Sequence, residues 1–404
     1  MEKQGWRTKV FADVFVRGSG LLDGRRLKLL FVIDHLSSGG AQRQLVLLAG
    51  RLAERGHRVE IVTYRRHEFF AGELERQKVK LTVLTKGWRY SPSFVLRLAR
   101  LMRNESYDAV LSYLTAANFY SLMARWLAGV STPVIVSERS AANNPHRGWR
   151  ESFVERFYQR ADTIVLNSHH LRDHYAERQP KLVERLATIW NGVDLESFTA
   201  NPLPVDEQLK LVAVGQLGRF KQPDLIIRAL AILRDEYGIT PRLTWFLRRY
   251  PNLQPSEQTF LGELNRLLET TGIGKQWNWR PETDTLSREL PSFHAMVHAS
   301  TVEGLPNAIC EALATGRPVI ATDVLDHPRL VEDGQTGFLF RAGDATALAA
   351  AIARFAKLKT AERQTMGNAA RAFAETRLSA DRFADEYQAL FFRLARLKGG
   401  SSAS

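Results

Sequence analysis

Two glutamates eight positions apart, Glu303 and Glu311, lie in the run STVEGLPNAICEALATGRPV at residues 300–319. Ahead of them AMVHA (295–299) has the apolar content of a short buried strand, and PVIAT (318–322) reads as another. Residues 307–315 between the strands have helical spacing, closed by Gly316. In such a β-loop-α-β unit the loop with Glu303, Gly304, Leu305 and Pro306 lies at the carboxyl end of a parallel strand. The first helical turn, starting at Asn307, aims free backbone N–H groups at whatever binds there. A diphosphate suits that place. Glu303 then stands beside the anion and Glu311 about one turn into the helix, where two acceptor-only carboxylates can grip hydroxyl groups on either side of the phosphates. A nucleotide sugar offers hydroxyls on both its hexose and its ribose.

These residues need a scaffold, and the chain supplies a repeating one. Apolar runs at 27–34, 59–64, 79–85, 108–113, 133–138 and 162–168 predict strands, with helices predicted at 43–55, 93–104, 117–127 and 150–160. Strands alternating with helices imply a parallel α/β sheet. The Pro-rich polar segment NPLPVDEQ (201–208) reads as a linker after a domain over 27–200. A second α/β run over 209–379 follows: strands at 209–217 and 242–247, helices at 223–237 and 257–271, the Glu303–Glu311 unit, a strand at 337–340, and helices at 345–356 and 361–376. A last helix is predicted at 380–398. Two glycines, Gly39 and Gly40, close the loop HLSSGGAQ after the first strand, where the lack of a Cβ lets a backbone approach phosphate or sugar.

Length and composition agree with two soluble globular domains: 404 residues, 45% hydrophobic and 25% charged. The single cysteine, Cys310, excludes an internal disulfide framework, and no Cys/His spacing suggests a structural metal. Cys310 reads as a small packed residue within the motif helix. No apolar stretch is long enough to span a bilayer, and the first 25 residues have no signal-peptide core, so the expected location is cytoplasmic or peripheral on the inner face of a membrane. Residues 1–26 read as an N-terminal arm with no assigned role. The net charge of +13 is concentrated: residues 1–100 hold 20 Lys and Arg against 9 Asp and Glu, whereas residues 101–200 hold 11 of each. Such an excess predicts an anionic partner. KGWRYSPSFVLRLARLMR (86–103), with Trp88, Tyr90, Phe94 and five cations, suits an interfacial helix on acidic lipid; the competing expectation is that Val95, Leu98, Leu101 and Met102 pack the helix on its own sheet.

At the glutamate motif the chain resembles family 4 of the retaining glycosyltransferases, whose hallmark is E-x7-E with Gly and Pro after the first Glu and Gly-x-Pro-Val after the helix. The resemblance implies the GT-B architecture, two Rossmann-like domains facing across a cleft, with the first binding the acceptor, the second the nucleotide sugar, and the last helix crossing back onto the first. It implies that Glu303 contacts the donor sugar and Glu311 the ribose. SSGGAQRQL (37–45) is similar to the family's G-G-A-E-R loop, which adds Gly39 and Gly40 to the donor side together with Gly304, Leu305, Pro306 and Asn307. VGQLGRFKQPDLIIRAL (214–230) resembles V-G-R-L-x3-K-G: Lys221 falls on the lysine that pairs with donor phosphates, while Gln216 stands where arginine is usual and Arg219 is the expected substitute. NGVDLESF (191–198) matches a structural turn that brings Asn191 to the cleft. Glu138 and Arg139, in SERS (137–140), occupy the place of a frequent histidine; they are expected either to contact the acceptor or a phosphate, or to pair with one another. In LDHPRLV (325–331), Leu325 and Asp326 replace two glycines and Arg329 replaces a glutamate, and RRYP (248–251) stands in place of G-x-G-P.

The expected activity is metal-independent, cofactor-free retaining transfer of a hexose from a nucleotide-diphosphate sugar to an acceptor hydroxyl, with a polyprenyl-diphosphate-linked saccharide as acceptor. The alternatives are a nucleotide-sugar epimerase of the same architecture and, from another class, a basic nucleic-acid-binding protein. The latter has only the charge excess in its favour, since no nucleic-acid motif accompanies it.

Overall fold

The computed structural model describes residues 25–67, 69–87, 91–139 and 156–400. The first half of the chain supplies strands β1 (Lys28–Ile33), β2 (Arg58–Thr63), β3 (Lys80–Val83), β4 (Ala109–Tyr113), β5 (Val134–Glu138), β6 (Thr163–Leu166) and β7 (Leu186–Thr188). They form one parallel sheet in the order β3-β2-β1-β4-β5-β6-β7. Helices α1 (Gly40–Glu54), α2 (Pro92–Glu105), α3 (Thr115–Ala128) and α4 (His169–Arg178) connect them. The second half supplies β8 (Lys210–Gly215), β9 (Arg242–Leu247), β10 (Trp277–Pro281), β11 (Ala295–His298), β12 (Val319–Thr322) and β13 (Gly337–Phe340), parallel in the order β10-β9-β8-β11-β12-β13. Its helices include α5 (Pro223–Tyr237), α6 (Pro255–Thr271), α7 (Asn307–Ala314), α8 (Ala345–Lys357) and α9 (Thr360–Arg377), and the chain closes with α10 (Ala380–Gly400).

Both faces of each sheet are covered, which is why the strands read as continuous apolar runs rather than alternating ones. In β1, Leu29, Phe31 and Ile33 face a core that includes Phe383, Tyr387 and Phe391 of α10, while Leu30 and Val32 face Phe94 and Leu98 of α2. The last helix therefore packs on the first sheet: Phe31 and Phe391 lie 6.2 Å apart and the hydroxyls of Tyr113 and Tyr387 3.2 Å. A Cβ on Gly192 would collide with Phe383, so the 191–194 turn also needs its glycine where this helix begins.

Some expectations change. The helix predicted at 150–160 lies partly outside the described residues, and its described end, Arg156–Arg160, is a 3₁₀ turn. Residues 1–24 of the arm, and Trp88 and Tyr90, also lie outside the described residues. The apolar stripe of α2 (Phe94, Val95, Leu98, Ala99 and Met102) is buried against the sheet and α3, because that face completes the core. This corrects the interfacial reading of the stripe itself. The start of the expected linker is tied to the second half of the chain: Arg317, fully buried, donates to the carbonyls of Pro291 (2.8 Å), Phe293 (3.2 Å), Pro202 (3.1 Å) and Asn201. Burial pushes its guanidinium down to about 10.

Candidate active site

In a parallel α/β sheet, ligands gather at the carboxyl ends of strands where the strand order reverses. The reversals here fall between β1 and β4 and between β8 and β11. The loops after β8 and β11 are tied together by Thr301 N–H donating to the Phe220 carbonyl at 2.9 Å. That tie brings Lys221 to Glu303, and the ammonium pairs with Glu303 Oε1. Gly215 allows it, because a Cβ there would stand 3.3 Å from Lys221 Cε as the lysine crosses the end of β8. His298, the last residue of β11, places Nε2 3.4 Å from the same Oε1. Burial alone would raise the Glu303 carboxyl; the Lys221 cation and the His298 ring outweigh it and hold it well below the usual carboxylate range. Glu303 is thus an anion at any working pH. No protein partner of its Oε2 is found among the described residues.

Behind this pair lies a second histidine. His327 packs edge-on against His298 with ring centroids 5.2 Å apart, and its Nδ1 lies 3.0 Å from both the carbonyl and the hydroxyl of Thr322. Because a carbonyl only accepts, Nδ1 carries the proton of the neutral ring. Burial, then the neighbouring His298, lowers His327 to about 3, and burial lowers His298 as well.

Glu311 stands on α7 and meets the first sheet. Arg43 of α1 places Nη1 3.1 Å from Glu311 Oε1, and Glu311 Oε2 has no protein partner among the described residues. Burial raises the Glu311 carboxyl, and Arg43 offsets part of that shift. Beside it Asn307, the first residue of α7, accepts from Asn191 Nδ2 at 2.5 Å, and Asn191 Oδ1 in turn takes a bond from Arg139. Asn307 also faces Gly40, where a Cβ would lie 2.7 Å from its Nδ2. Gly304 lies against the first half of the chain, where a Cβ would come within 2.8 Å of the Arg139 carbonyl and Asn167 Oδ1. Leu305 turns its side chain into the core and only its backbone borders the site, its carbonyl 3.4 Å from Asn191 Nδ2. Pro306 is the extended residue that starts α7, leaving the first-turn N–H groups without helical partners.

Two expectations do not survive the geometry. Arg219 turns away from Lys221: its guanidinium lies 2.8 Å from Glu263 and 4.5 Å over the ring of Phe260, with 74% of the side chain exposed. The segment Arg219–Lys221 is a 3₁₀ turn, in which residues two apart leave the backbone about 120° from each other, so the two side chains set out in different directions. Glu138 and Arg139 do not pair with one another either. Glu138 is buried and accepts from Asn118 (3.1 Å), Thr115 (3.3 Å) and Tyr158, whereas Arg139 stacks 4.4 Å over Tyr113 and reaches Asn191. A Cβ on Gly39 would meet Oε1 of Gln42, in its own helix, first. Cys310 is fully buried, which pushes its thiol well up and leaves it packed. Among the described residues no group of three or more His, Cys, Asp or Glu is placed to hold a metal ion. Reading the sequence missed Arg43, His298 and His327. Arg43 lies inside the glycine-loop motif, so a signal existed; His298 and His327 have none beyond lying at strand ends.

Residues 38–197 match the family model Glycosyltransferase Family 4, and residues 208–357 match Glycosyl transferases group 1. The chain is 26% identical over 341 residues, 80% of its length and 87% of the relative's, to a GalNAc-alpha-(1->4)-GalNAc-alpha-(1->3)-diNAcBac-PP-undecaprenol alpha-1,4-N-acetyl-D-galactosaminyltransferase of Campylobacter jejuni subsp. jejuni serotype O:2. It is 46% identical over 188 residues, 43% of each chain, to the putative colanic acid biosynthesis glycosyltransferase WcaL of Salmonella typhimurium. The crystal structure of Anabaena HepE in complex with UDP superposes with a TM-score of 0.78 at 20% identity, covering 91% of this chain and 100% of that one. The fold is GT-B, and the class is glycosyltransferase. The chain belongs to the family 4 and group 1 glycosyltransferases, whose two models it carries in succession.

Proposed function

We propose that this enzyme transfers a hexose, with retention, from a nucleotide-diphosphate sugar to a hydroxyl of a polyprenyl-diphosphate-linked saccharide. The observation that carries the reading is the pairing of Glu303 with Lys221 at the reversal of the second sheet, opposite Arg43, Asn191 and Gly40 from the first half of the chain. Glu303 accepts from a hydroxyl of the transferred sugar through Oε2 and Glu311 from the ribose through its own, each carboxylate being fixed by a protein cation at Oε1. The Lys221 ammonium and the N–H groups that open α7 stabilise charge as it develops on the leaving diphosphate. The acceptor attacks the face that the diphosphate leaves, and a leaving-phosphate oxygen takes its proton, so the protein supplies position rather than a base. No metal or cofactor is required in this scheme; activity retained in EDTA is its consequence.

The first sheet serves the acceptor in this reading, with Arg139 and Asn191 at its edge, and the second serves the donor. The undecaprenol-diphosphate saccharide in the Campylobacter relative's name supports the acceptor class, and the UDP bound to HepE supports the donor class. A peripheral membrane position goes with such an acceptor. Among the described residues no helix is long and apolar enough to cross a membrane. The surface offered to acidic lipid in this reading is the outer side of α2 and α3, where Leu96, Trp126 and Leu127 are exposed and the exposed Arg100 follows Leu96 by one helical turn. Arg97 and Arg103 are spent on backbone carbonyls there. The test is thermal stabilisation by UDP-, GDP-, ADP- and TDP-sugars, followed by transfer onto a polyprenyl-diphosphate saccharide. A matching donor at a hundred times its Kd adds about 2.7 kcal/mol. Stabilisation by none of them, with no transfer, would refute the assignment.

A further inference from the structure

Asp326 is fully buried, and its two oxygens accept the backbone N–H groups of His169 and His170, each at 2.7 Å, in the first turn of α4. A cap normally comes from the residue beside the helix, and α4 has one in Ser168, whose hydroxyl accepts from Leu171 N at 3.2 Å. The second cap comes from the segment after β12, in the other half of the molecule. It fills donors that would otherwise face water and sets a negative charge on the positive end of the helix. The neighbour of Asp326 is His327, which packs on His298, and His298 touches Glu303. One dipeptide thus contacts both the first-half helix and the group behind the donor-site carboxylate.

The local backbone is not relaxed. Leu325 adopts φ 58°, in the left-handed region that a leucine rarely enters. Such a conformation persists where surrounding contacts over-determine it, and the next residue, Asp326, makes two of the contacts that anchor this segment. Where the family pattern has glycine at 326, no carboxylate exists to make them. Each bond exchanges with water on opening, so its net worth is modest and the contact is reversible.

We propose that Asp326 is a positioning residue for sugar transfer: seated on the first turn of α4, it holds the two halves of the enzyme closed and, through His327 and His298, fixes Glu303 against Lys221. This rests on the donor-sugar role given to Glu303 above. The Lys221 pair orients the carboxylate from one side, and closure through Asp326 sets the histidines on the other.

Two variants on opposite sides of the contact test it. Asp326→Ala removes the acceptor. His169→Pro removes one donor at the first helical position, where proline is favoured, after a Ser168 whose extended backbone (φ −147°, ψ 152°) accepts a following proline. Each variant should bind UDP within about threefold of wild type, lose roughly tenfold or more in kcat with donor KM little changed, and have a larger radius of gyration by small-angle scattering. The double variant should be no worse than Asp326→Ala alone, since both remove one interaction. In Asp326→Ala the amides of residues 169 and 170 should exchange faster. Unchanged kcat and scattering would overturn the proposal, as would additive losses, or UDP affinity falling in step with kcat. If Asp326→Ala fails to fold, His169→Pro decides by the same readouts. If the wild type transfers no sugar, the functional reading fails, while exchange and scattering still decide whether Asp326 joins the two halves.

Discussion

Arg43 Nη1 lies 3.1 Å from Glu311 Oε1, so the first helix of one sheet is fastened to the motif helix of the other. The bond does two things at once. It joins the two halves beside the contact of Gly40 with Asn307, and it opposes the burial that raises the Glu311 carboxyl. Arg43→Ala should therefore weaken donor binding by roughly five- to thirtyfold, about 1–2 kcal/mol, below the range for a fully buried pair because the arginine is 37% exposed. Combined with Glu311→Ala the losses should not add. Titration calorimetry with the nucleotide checks both statements.

Lys221→Ala should lower kcat by about two to three orders of magnitude, the effect of deleting one fixed stabiliser of transition-state charge. Arg219→Ala should stay within about threefold, since its side chain is committed to Glu263 and Phe260 on α6. Steady-state kinetics of the two variants side by side would show whether the phosphate clamp has been placed on the right residue.

How far the site was readable in the sequence depends on where each contact comes from. Glu303, Glu311 and Asn307 share one continuous loop and helix, and the local pattern places them. Lys221 is brought to Glu303 by adjacent strands β8 and β11, which a parallel sheet with one reversal already implies. Arg219 failed because its direction follows from a 3₁₀ turn that residue types do not announce. The contacts between halves were hidden for a different reason. Asp326 meets backbone N–H groups, which carry no side-chain signature, on a helix that was itself unread: HHLRDHYAER buries only Leu171 and Tyr175 and has no apolar stripe. Likewise β7 has three residues, and β10 (WNWRP) is an edge strand with polar residues and a proline.

Acid sensitivity follows from the histidines. His327 takes up the second proton that charges its ring only below about pH 3 when folded, against 6.5 when exposed, so between these values the unfolded chain binds more protons. Stability from this group is complete above pH 6.5 and is lost as pH falls toward 3, by up to about 1.4 kcal/mol per pH unit. Glu303, depressed below its ordinary value, adds loss of the same sign at lower pH; Glu311, raised, opposes it. His327→Asn keeps a donor for the Thr322 carbonyl without the titration. Denaturant midpoints from pH 4 to 8 should show a shallower slope below pH 6.5 in this variant. An unchanged slope would assign the acid loss to other groups.

The central claim is that the two glutamates divide the donor between them, Glu303 taking the transferred sugar and Glu311 the ribose. Steady-state kinetics with the donor varied, on folded Glu303→Ala and Glu311→Ala proteins, tests it most directly. Loss of a hydrogen bond to a charged group is worth roughly 1.5–3 kcal/mol. Glu311→Ala should raise donor KM by about ten- to a hundredfold with kcat less affected, and Glu303→Ala should lower kcat by a similar factor with KM less affected. Wild-type parameters in both variants, or the opposite division between kcat and KM, would contradict the account.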